Sequence, residues 1–569
     1  MIMPFKKSAA VVLCASIASL VGAELFLFLS RGPLSLTPQQ EREKYIYEDI
    51  YKRLFTKVLL ENGRKVYRVD NHQIENLSFP VHKDRDTKRI FIIGGSVVQD
   101  LRGNASLLSQ ALEALVPGKK FEVICCGLGA YDSYRESLLQ KEILGYKPDL
   151  IILMSGNNEF LTPVKVNLFF FRLNRCLLHL RSYRFIHGFI RRYVNPQAVS
   201  SEARLANFKK NIEVMVKRAK DKKVPMVLCT LPADLRHTPP LVTLPAWDEK
   251  NYFEGWFAFD SGDYVTAVRA LQAFLRDNPQ DAQAHYLLAR CFEARQDYPT
   301  AREYYIKAVE LDMPQGKRAT ASRNEAVRRI CLSHDLILVD LEKLFMNLSL
   351  HRLPDSRLFR DHCHWWPEYN FLVFQEIVNS LDAYGNTHGQ PVFSSPWDRK
   401  KLNWLQATPF TETPDNEKAF RKAVIAFSLT YYYGERPFLS EPAIAYARQA
   451  YEFDASIFQD TARLKERLAR SFSATWWTAE CASSIDAHWP RFLVHLGESF
   501  RRHGLYQESI VFFEQAIALE PKLWFAPLGK ALAQYRLGMI AEAQKGFIAL
   551  KKEFPSVPLI EAFRRKFWM

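Results

Sequence analysis

Ser96, Asp361 and His364 are the residues of this chain whose types and surroundings could carry out chemistry. A serine hydroxyl is a weak nucleophile until an imidazole within hydrogen-bond reach takes its proton and a carboxylate orients that imidazole. Ser96 closes Gly94-Gly95-Ser96, and Asp361-His362-Cys363-His364 offers a carboxylate and an imidazole three residues apart. The charge that develops on an attacked carbonyl oxygen needs donors already aimed at it, each worth about 3 kcal/mol. Three candidates stand out: the backbone N–H of Ser96, a backbone N–H within Gly127 to Ser133, and a side-chain amide in Gly156-Asn157-Asn158-Glu159. Together these are the parts of an acyl-transfer site.

Such parts need elements to hold them. Apolar runs at 90–93, 121–125 and 150–154 precede the first three blocks, and two more follow at 224–230 and 336–339. Short continuous runs rich in Val, Ile and Leu fit strands buried on both faces of a parallel sheet. With helices at 105–115 and 134–144 between them, five such runs predict a three-layer α/β domain. In open sheets of this kind the chemistry sits at the ends of the strands, which is where the blocks fall.

A different pattern interrupts the fourth and fifth runs. Gly262-Asp263-Tyr264 recurs as Gln296-Asp297-Tyr298, and Ala267 as Ala301, a 34-residue period. The same period returns near the carboxyl end, where Gly504-Leu505-Tyr506 is followed by Gly538-Met539-Ile540, and Pro521 by Pro555. Helix–turn–helix units of this length bury their faces by stacking on one another. The pattern resembles the tetratricopeptide repeat, which implies a concave face for a protein partner.

The four blocks together resemble the SGNH (GDSL-type) hydrolase family. Gly94-Gly95-Ser96 stands where that family has Gly-Asp-Ser, and Asp361-His362-Cys363-His364 matches its Asp-x-x-His. Gly156-Asn157-Asn158-Glu159 resembles its Gly-x-Asn-Asp block, with Glu as the fourth residue. The resemblance implies a flavodoxin-like α/β/α fold with a five-stranded parallel sheet, beside all-α repeats. It implies Ser96 as nucleophile, His364 as base and Asp361 as its orienter. The oxyanion donors become Ser96 N–H, the N–H of Ala130 where the family has glycine, and the Asn158 amide. Substrates implied are acyl esters of glycans or lipids. The same site could pass the acyl group to a sugar hydroxyl as an acyltransferase, and a weakly active scaffold that recruits partners through its repeats is the further alternative.

The boundaries expected are a membrane anchor or signal peptide at 1–32, a helical linker at 33–85, hydrolase segments at 86–245 and 321–390, inserted repeats at 246–320, and carboxyl-terminal repeats at 391–569. Lys6-Lys7 precedes an apolar run over 8–30, broken only by Glu24. That run exceeds the roughly 20 residues a spanning helix needs. It predicts a single-pass inner-membrane signal anchor with the domains outside the cytoplasm. Cleavage after Val21-Gly22-Ala23, giving a secreted or periplasmic protein, is the alternative.

At 569 residues the chain exceeds a single core, while 48% hydrophobic and 24% charged residues are ordinary for globular domains. The net charge of +15 suits an anionic partner such as a membrane surface or acidic glycan. No recognisable nucleic-acid module accompanies that charge, so nucleic acid is not expected. From Phe160 to Ser201 there is no acidic residue, and arginines alternate with aromatics over 163–192. This segment reads either as a membrane-surface element or lid, or as helices packed on the domain with their arginines reaching water. Nine cysteines form no C-x-x-C pair, and no phosphate loop or dinucleotide fingerprint occurs. Neither a metal nor a cofactor is expected.

Overall fold

The computed structural model describes residues 53–69, 77–159, 200–312, 317–393, 412–433, 440–473 and 484–555, with isolated positions between them. Its described residues hold two sheets. A small antiparallel sheet comprises β1 (Phe55–Leu59), β2 (Lys65–Val69) and β3 (Ser78–Pro80). The large one comprises β4 (Thr87–Gly94), β5 (Lys120–Gly127), β6 (Leu150–Met154), β7 (Met226–Thr230) and β8 (Ile337–Asp340). It is parallel throughout, in the order β5-β4-β6-β7-β8. That is the flavodoxin-like order, and its switch point, where ligands gather, lies between β4 and β6.

Helices cover both faces, as the two-sided apolar strands require. On one side α1 (Ser96–Leu101) and α2 (Ala105–Leu115) pack with Ile90, Ile92 and Cys125. On the other, α3 (Ser133–Ile143) and α4 (Ser201–Asp221) pack with Phe91, Ile93 and Cys126. The adjacent Cys125 and Cys126 face opposite layers. All six cysteines among the described residues are buried thiols.

Four paired helices follow β7: α5 (Lys250–Asp260), α6 (Tyr264–Asp277), α7 (Ala282–Ala294) and α8 (Tyr298–Leu311). They are followed by α9 (Ala321–His334), then, after β8, by α10 (Leu341–Leu348) and α11 (Asn370–Thr387). The carboxyl-terminal helices are α12 (Asp415–Tyr433), α13 (Glu441–Phe453), α14 (Thr461–Ser473), α15 (Ile485–Arg502), α16 (Tyr506–Leu519), α17 (Phe525–Arg536) and α18 (Ile540–Glu553). The 34-residue period has a backbone cause. Gly262, Gln296, Gly504 and Gly538 all take positive φ, at 79°, 63°, 79° and 79°, in the turn that opens the second helix of each pair. Ala267 and Ala301 have no exposed surface, because small side chains let paired helices approach closely.

The two repeat blocks, separate in sequence, are joined in space. Phe563 packs against Phe253 with ring centroids 5.3 Å apart. Arg501 Nη1 lies 3.0 Å from Asp260 Oδ2, and Arg536 Nη2 donates to the Asp260 carbonyl at 3.1 Å. Insert and carboxyl-terminal helices thus share one core and one ionic network.

Two expectations are corrected here. The helical linker expected at 33–85 instead holds, among its described residues, β1, paired antiparallel with β2 through a turn at Asn62-Gly63 where Gly63 takes φ 77°. Phe55, Tyr67 and Phe79 pack on Tyr146 and Phe91, so burial of these aromatics outweighs the mixed-charge helical pattern. The single-pass inner-membrane anchor is also overturned: among the described residues no helix is long and apolar enough to cross a membrane. The 8–30 run behind that expectation lies outside the described residues, as does nearly all of the basic aromatic segment 163–192.

Candidate active site

Ser96 opens α1 two residues after β4, so its hydroxyl stands at the switch point. The helix can begin there only because β5 ends in glycine. A Cβ at Gly127 would fall 2.1 Å from the Gln99 backbone nitrogen. As the first helical residue, Ser96 also has a backbone N–H with no acceptor inside its own helix.

Asp361 and His364 lie in the long segment between α10 and α11. This segment is closed by a bridge between Phe359 and Trp365 and by Arg360 N donating to the His364 carbonyl at 2.9 Å. Asp361 Oδ1 accepts from the backbone N–H of both Cys363 and His364, at 2.9 and 2.8 Å, folding the turn around its own carboxylate. His364 Nδ1 lies 2.7 Å from Asp361 Oδ2, and His364 Nε2 lies 2.7 Å from Ser96 Oγ. One imidazole therefore bridges carboxylate and hydroxyl, the chain of contacts a serine nucleophile requires. His362, the neighbouring histidine, is not in this chain; its carbonyl accepts from Asp234 N at 3.1 Å.

The electrostatics follow from burial and this pairing. Burial alone would raise the Asp361 carboxyl, but His364, His362 and Arg360 outweigh it and hold it well below the usual carboxylate range. Burial alone would lower the His364 imidazole, but the Asp361 charge, aided by Cys363, carries it well above its ordinary value. Cys363, next to the base, is a buried thiol. Its Sγ lies 3.6 Å from His364 Nδ1, and although burial works against ionisation, His362 and His364 bring its pKa down to about 7.

The remaining blocks meet beside Ser96. Asn158 Nδ2 donates to the Tyr131 carbonyl at 3.0 Å, which leaves the second N–H of that amide. The same nitrogen lies 2.8 Å from where a Cβ on Gly95 would stand. A side chain in the middle of the Gly94-Gly95-Ser96 block would crowd that amide and the Tyr131 carbonyl, 3.1 Å from the same point. Asn157 is engaged elsewhere, its Oδ1 accepting from Ala319 N at 2.8 Å.

Ala130 holds the left-handed conformation at φ 62°, a glycine-like geometry at the position where the family has glycine. Its carbonyl accepts from the buried Arg135 guanidinium, which also lies 4.7 Å above the Tyr131 ring. Glu159, one methylene longer than the family's aspartate, ties the third block to the second. Its Oε1 and Oε2 accept from the Ser133 backbone N–H at 2.9 Å and hydroxyl at 2.6 Å. Burial, with Asp132 adding, raises its pKa to about 7.

Sequence reasoning missed the braces of the Asp361–His364 segment. Arg360 Nη2 meets Asp100 Oδ2 of α1 at 2.6 Å, and Asn370 bonds both Trp365 Nε1 and Asn104. An arginine beside the Asp-x-x-His aspartate was the available signal. Asp361, His362 and Cys363 also bring a carboxylate, an imidazole and a thiol within 4.8 Å of one another. Both Asp361 oxygens already contact His364 Nδ1, so a cation there would compete with the imidazole for that carboxylate.

The strand order and helix layers define a flavodoxin-like α/β domain, and the stacked pairs define helical repeats. Residues 254–315 match the tetratricopeptide repeat family model, so the chain carries a repeat of that kind. No curated protein matches the chain. Among solved structures it is similar to a GDSL-like lipase from Bacteroides thetaiotaomicron at 10% identity, over 53% of this chain and 89% of the lipase, with a TM-score of 0.25. A catalytic mutant of an acetylxylan esterase from Geobacillus stearothermophilus shares 12% identity over 52% of this chain and 93% of its own, with a TM-score of 0.27. The TPR2AB domain of yeast Sti1, in complex with pHSP90, shares 13% identity over 56% of this chain and 95% of its own, with a TM-score of 0.15. The strand order of the structure itself carries the fold.

Proposed function

We propose that this protein is an SGNH-type serine hydrolase of acyl esters whose helical repeats engage a protein partner. Ser96 Oγ attacks the acyl carbonyl while His364 Nε2 accepts its proton. Asp361 stays ionised throughout and holds the imidazolium that forms. The oxyanion is met by Ser96 N–H, Ala130 N–H and the second N–H of Asn158. His364 then returns the proton to the leaving alcohol. Water, deprotonated by the same imidazole, attacks the acyl-enzyme; the acyl–Ser96 bond breaks, the imidazolium returns the proton to Ser96 Oγ, and the acid leaves. The resemblance points to an O-acylated glycan or lipid as the ester; replacing water by a sugar hydroxyl would make the same site an acyltransferase.

The observation that carries this reading is the single imidazole within 2.7 Å of both Ser96 Oγ and Asp361 Oδ2. The test is labelling by a serine-directed fluorophosphonate, with ester turnover followed against acyl-chain length. Wild type is labelled and turns over esters; Ser96→Ala, equally folded, does neither. A folded wild type that resists the probe would leave a repeat scaffold instead, and labelling unchanged in Ser96→Ala would remove the mechanism.

A further inference from the structure

The chemistry above leaves unused a buried lysine that reaches the catalytic segment from the repeats. Lys422, on α12, has no exposed surface. Its Nζ donates to the Phe359 carbonyl and to Gln449 Oε1, both at 2.7 Å. The Trp366 and Tyr446 rings flank it at 5.6 and 5.2 Å. Burial draws its pKa down to about 8, against the Asp234, Asp361 and Asp355 carboxylates that favour the proton.

Each of these partners bears on the Asp-x-x-His turn. Phe359 is the residue that bridges Trp365 to close the turn, two positions before Asp361. Gln449, on α13, donates in turn to the His237 carbonyl at 2.8 Å. Asp234, in the same segment as His237, holds the His362 carbonyl through its own N–H. An ammonium taken out of water is costly unless charges and acceptors compensate it, and apolar residues would dock two helices more cheaply. A lysine here is explained by what it grips.

We propose that Lys422 is a positioning residue that holds the Phe359–Trp365 turn, and with it Asp361 and His364, in line with Ser96. The carboxyl-terminal repeat block is then a working part of the active site, and not an appendage to it. The catalytic half of this proposal rests on the Ser96–His364–Asp361 reading; the mechanical half does not.

The test uses the full chain carrying Lys422→Met, which removes the ammonium, and Lys422→Arg, which keeps a cation. Hydrogen–deuterium exchange is followed in peptides covering 355–370 and, for reference, β4 and β6. The fluorophosphonate labelling rate per folded molecule is followed against pH. In Lys422→Met, exchange over 355–370 should rise about tenfold while the strands stay protected. The labelling rate should fall on the order of 100-fold, as a displacement of about 1 Å can cause, and its acid-side midpoint should move down as Asp361 loosens from His364. Lys422→Arg should recover part of both effects. Exchange over 355–370 equal to wild type, or a labelling rate and midpoint within about twofold of it, overturns the proposal. Should Lys422→Met not fold, Gln449→Leu removes one acceptor and is read against the same two outcomes. A wild type unlabelled at Ser96 would sink the hydrolase reading alone, and the exchange measurement would still decide whether Lys422 holds the turn.

Discussion

Ser96 stands two residues past β4 and Asn158 four past β6, strands that are hydrogen-bonded neighbours, so sheet register sets the distance between them. Asp361 and His364 lie far beyond the end of β8 and inherit nothing from its register. They are held from outside: by Asp100 on α1 through Arg360, by Asn104 through Asn370, and by Lys422 from the repeats. On the proposed reading, a parallel sheet supplies nucleophile and oxyanion donor together, while the base and its orienter depend on packing contributed by the rest of the chain. Changes in the first half should act locally on the transition state. Changes in the second should act through the geometry and charge of one imidazole.

The largest separation should come from Asp361→Asn. An amide cannot keep His364 in the tautomer that presents a bare Nε2 to Ser96, and the Asp361 turn loses charge-assisted bonds from two backbone N–H groups. Labelling of Ser96 should slow on the order of 10⁴-fold, with the chain still folded. A loss below about tenfold would show that Asp361 does not orient the base.

Asn158→Ala tests the other half. Removing one preorganised donor should lower kcat by about 10² to 10³, with KM little changed and the pH midpoint unmoved. A shifted midpoint would mean that Asn158 acts through His364, and the two halves would no longer be independent.

The pH profile sharpens the same contrast. A base must be neutral to accept the Ser96 proton, so activity rises as pH climbs through the folded value of His364. Asp361 and Cys363 raise that value, which places the acid limb above the ordinary 6.5. Cys363→Ala should bring the limb down without altering the plateau. Stability follows the opposite sense for this group: raised on folding, His364 stabilises below 6.5 and gives that up as pH rises through its folded value. Asp361, depressed on folding, stabilises above the ordinary 3.8 and loses that contribution as pH falls through its folded value. A limb at or below 6.5 in wild type would contradict the charge pairing described.

What was legible in the sequence divides along the same line. The five strands of the large sheet were readable because residues buried on both faces leave unbroken apolar runs. The run at 150–154 and the helix at 105–115 match β6 and α2 residue for residue. The repeat period was readable because one positive-φ turn recurs at a fixed interval. Lys422 was not readable, since a lysine on an amphipathic helix looks solvated until the partner surface is known. Nor was the union of the two repeat blocks, because Phe253 and Phe563 meet only through tertiary packing. The strand at Phe55–Leu59 was masked by charged residues that suit a helix surface, and burial of Phe55 settles it.

Ala130 is the smallest test and separates backbone from side chain within the sheet-held half. At φ 62° an L-residue carries strain of about 1 kcal/mol, which glycine would relieve. Glycine also adds about 0.5–1 kcal/mol of unfolded-state entropy, so Ala130→Gly should leave the unfolding free energy within about 1 kcal/mol of wild type. Glycine takes the same positive φ without strain, so the Gly129–Ala130 peptide can keep its place and labelling should stay within about twofold. Ala130→Val, by contrast, should slow labelling and lower stability together, because a β-branched residue resists positive φ. A glycine variant that loses more than about tenfold would assign the Ala130 contribution to its methyl group, and the oxyanion role of that N–H would fall.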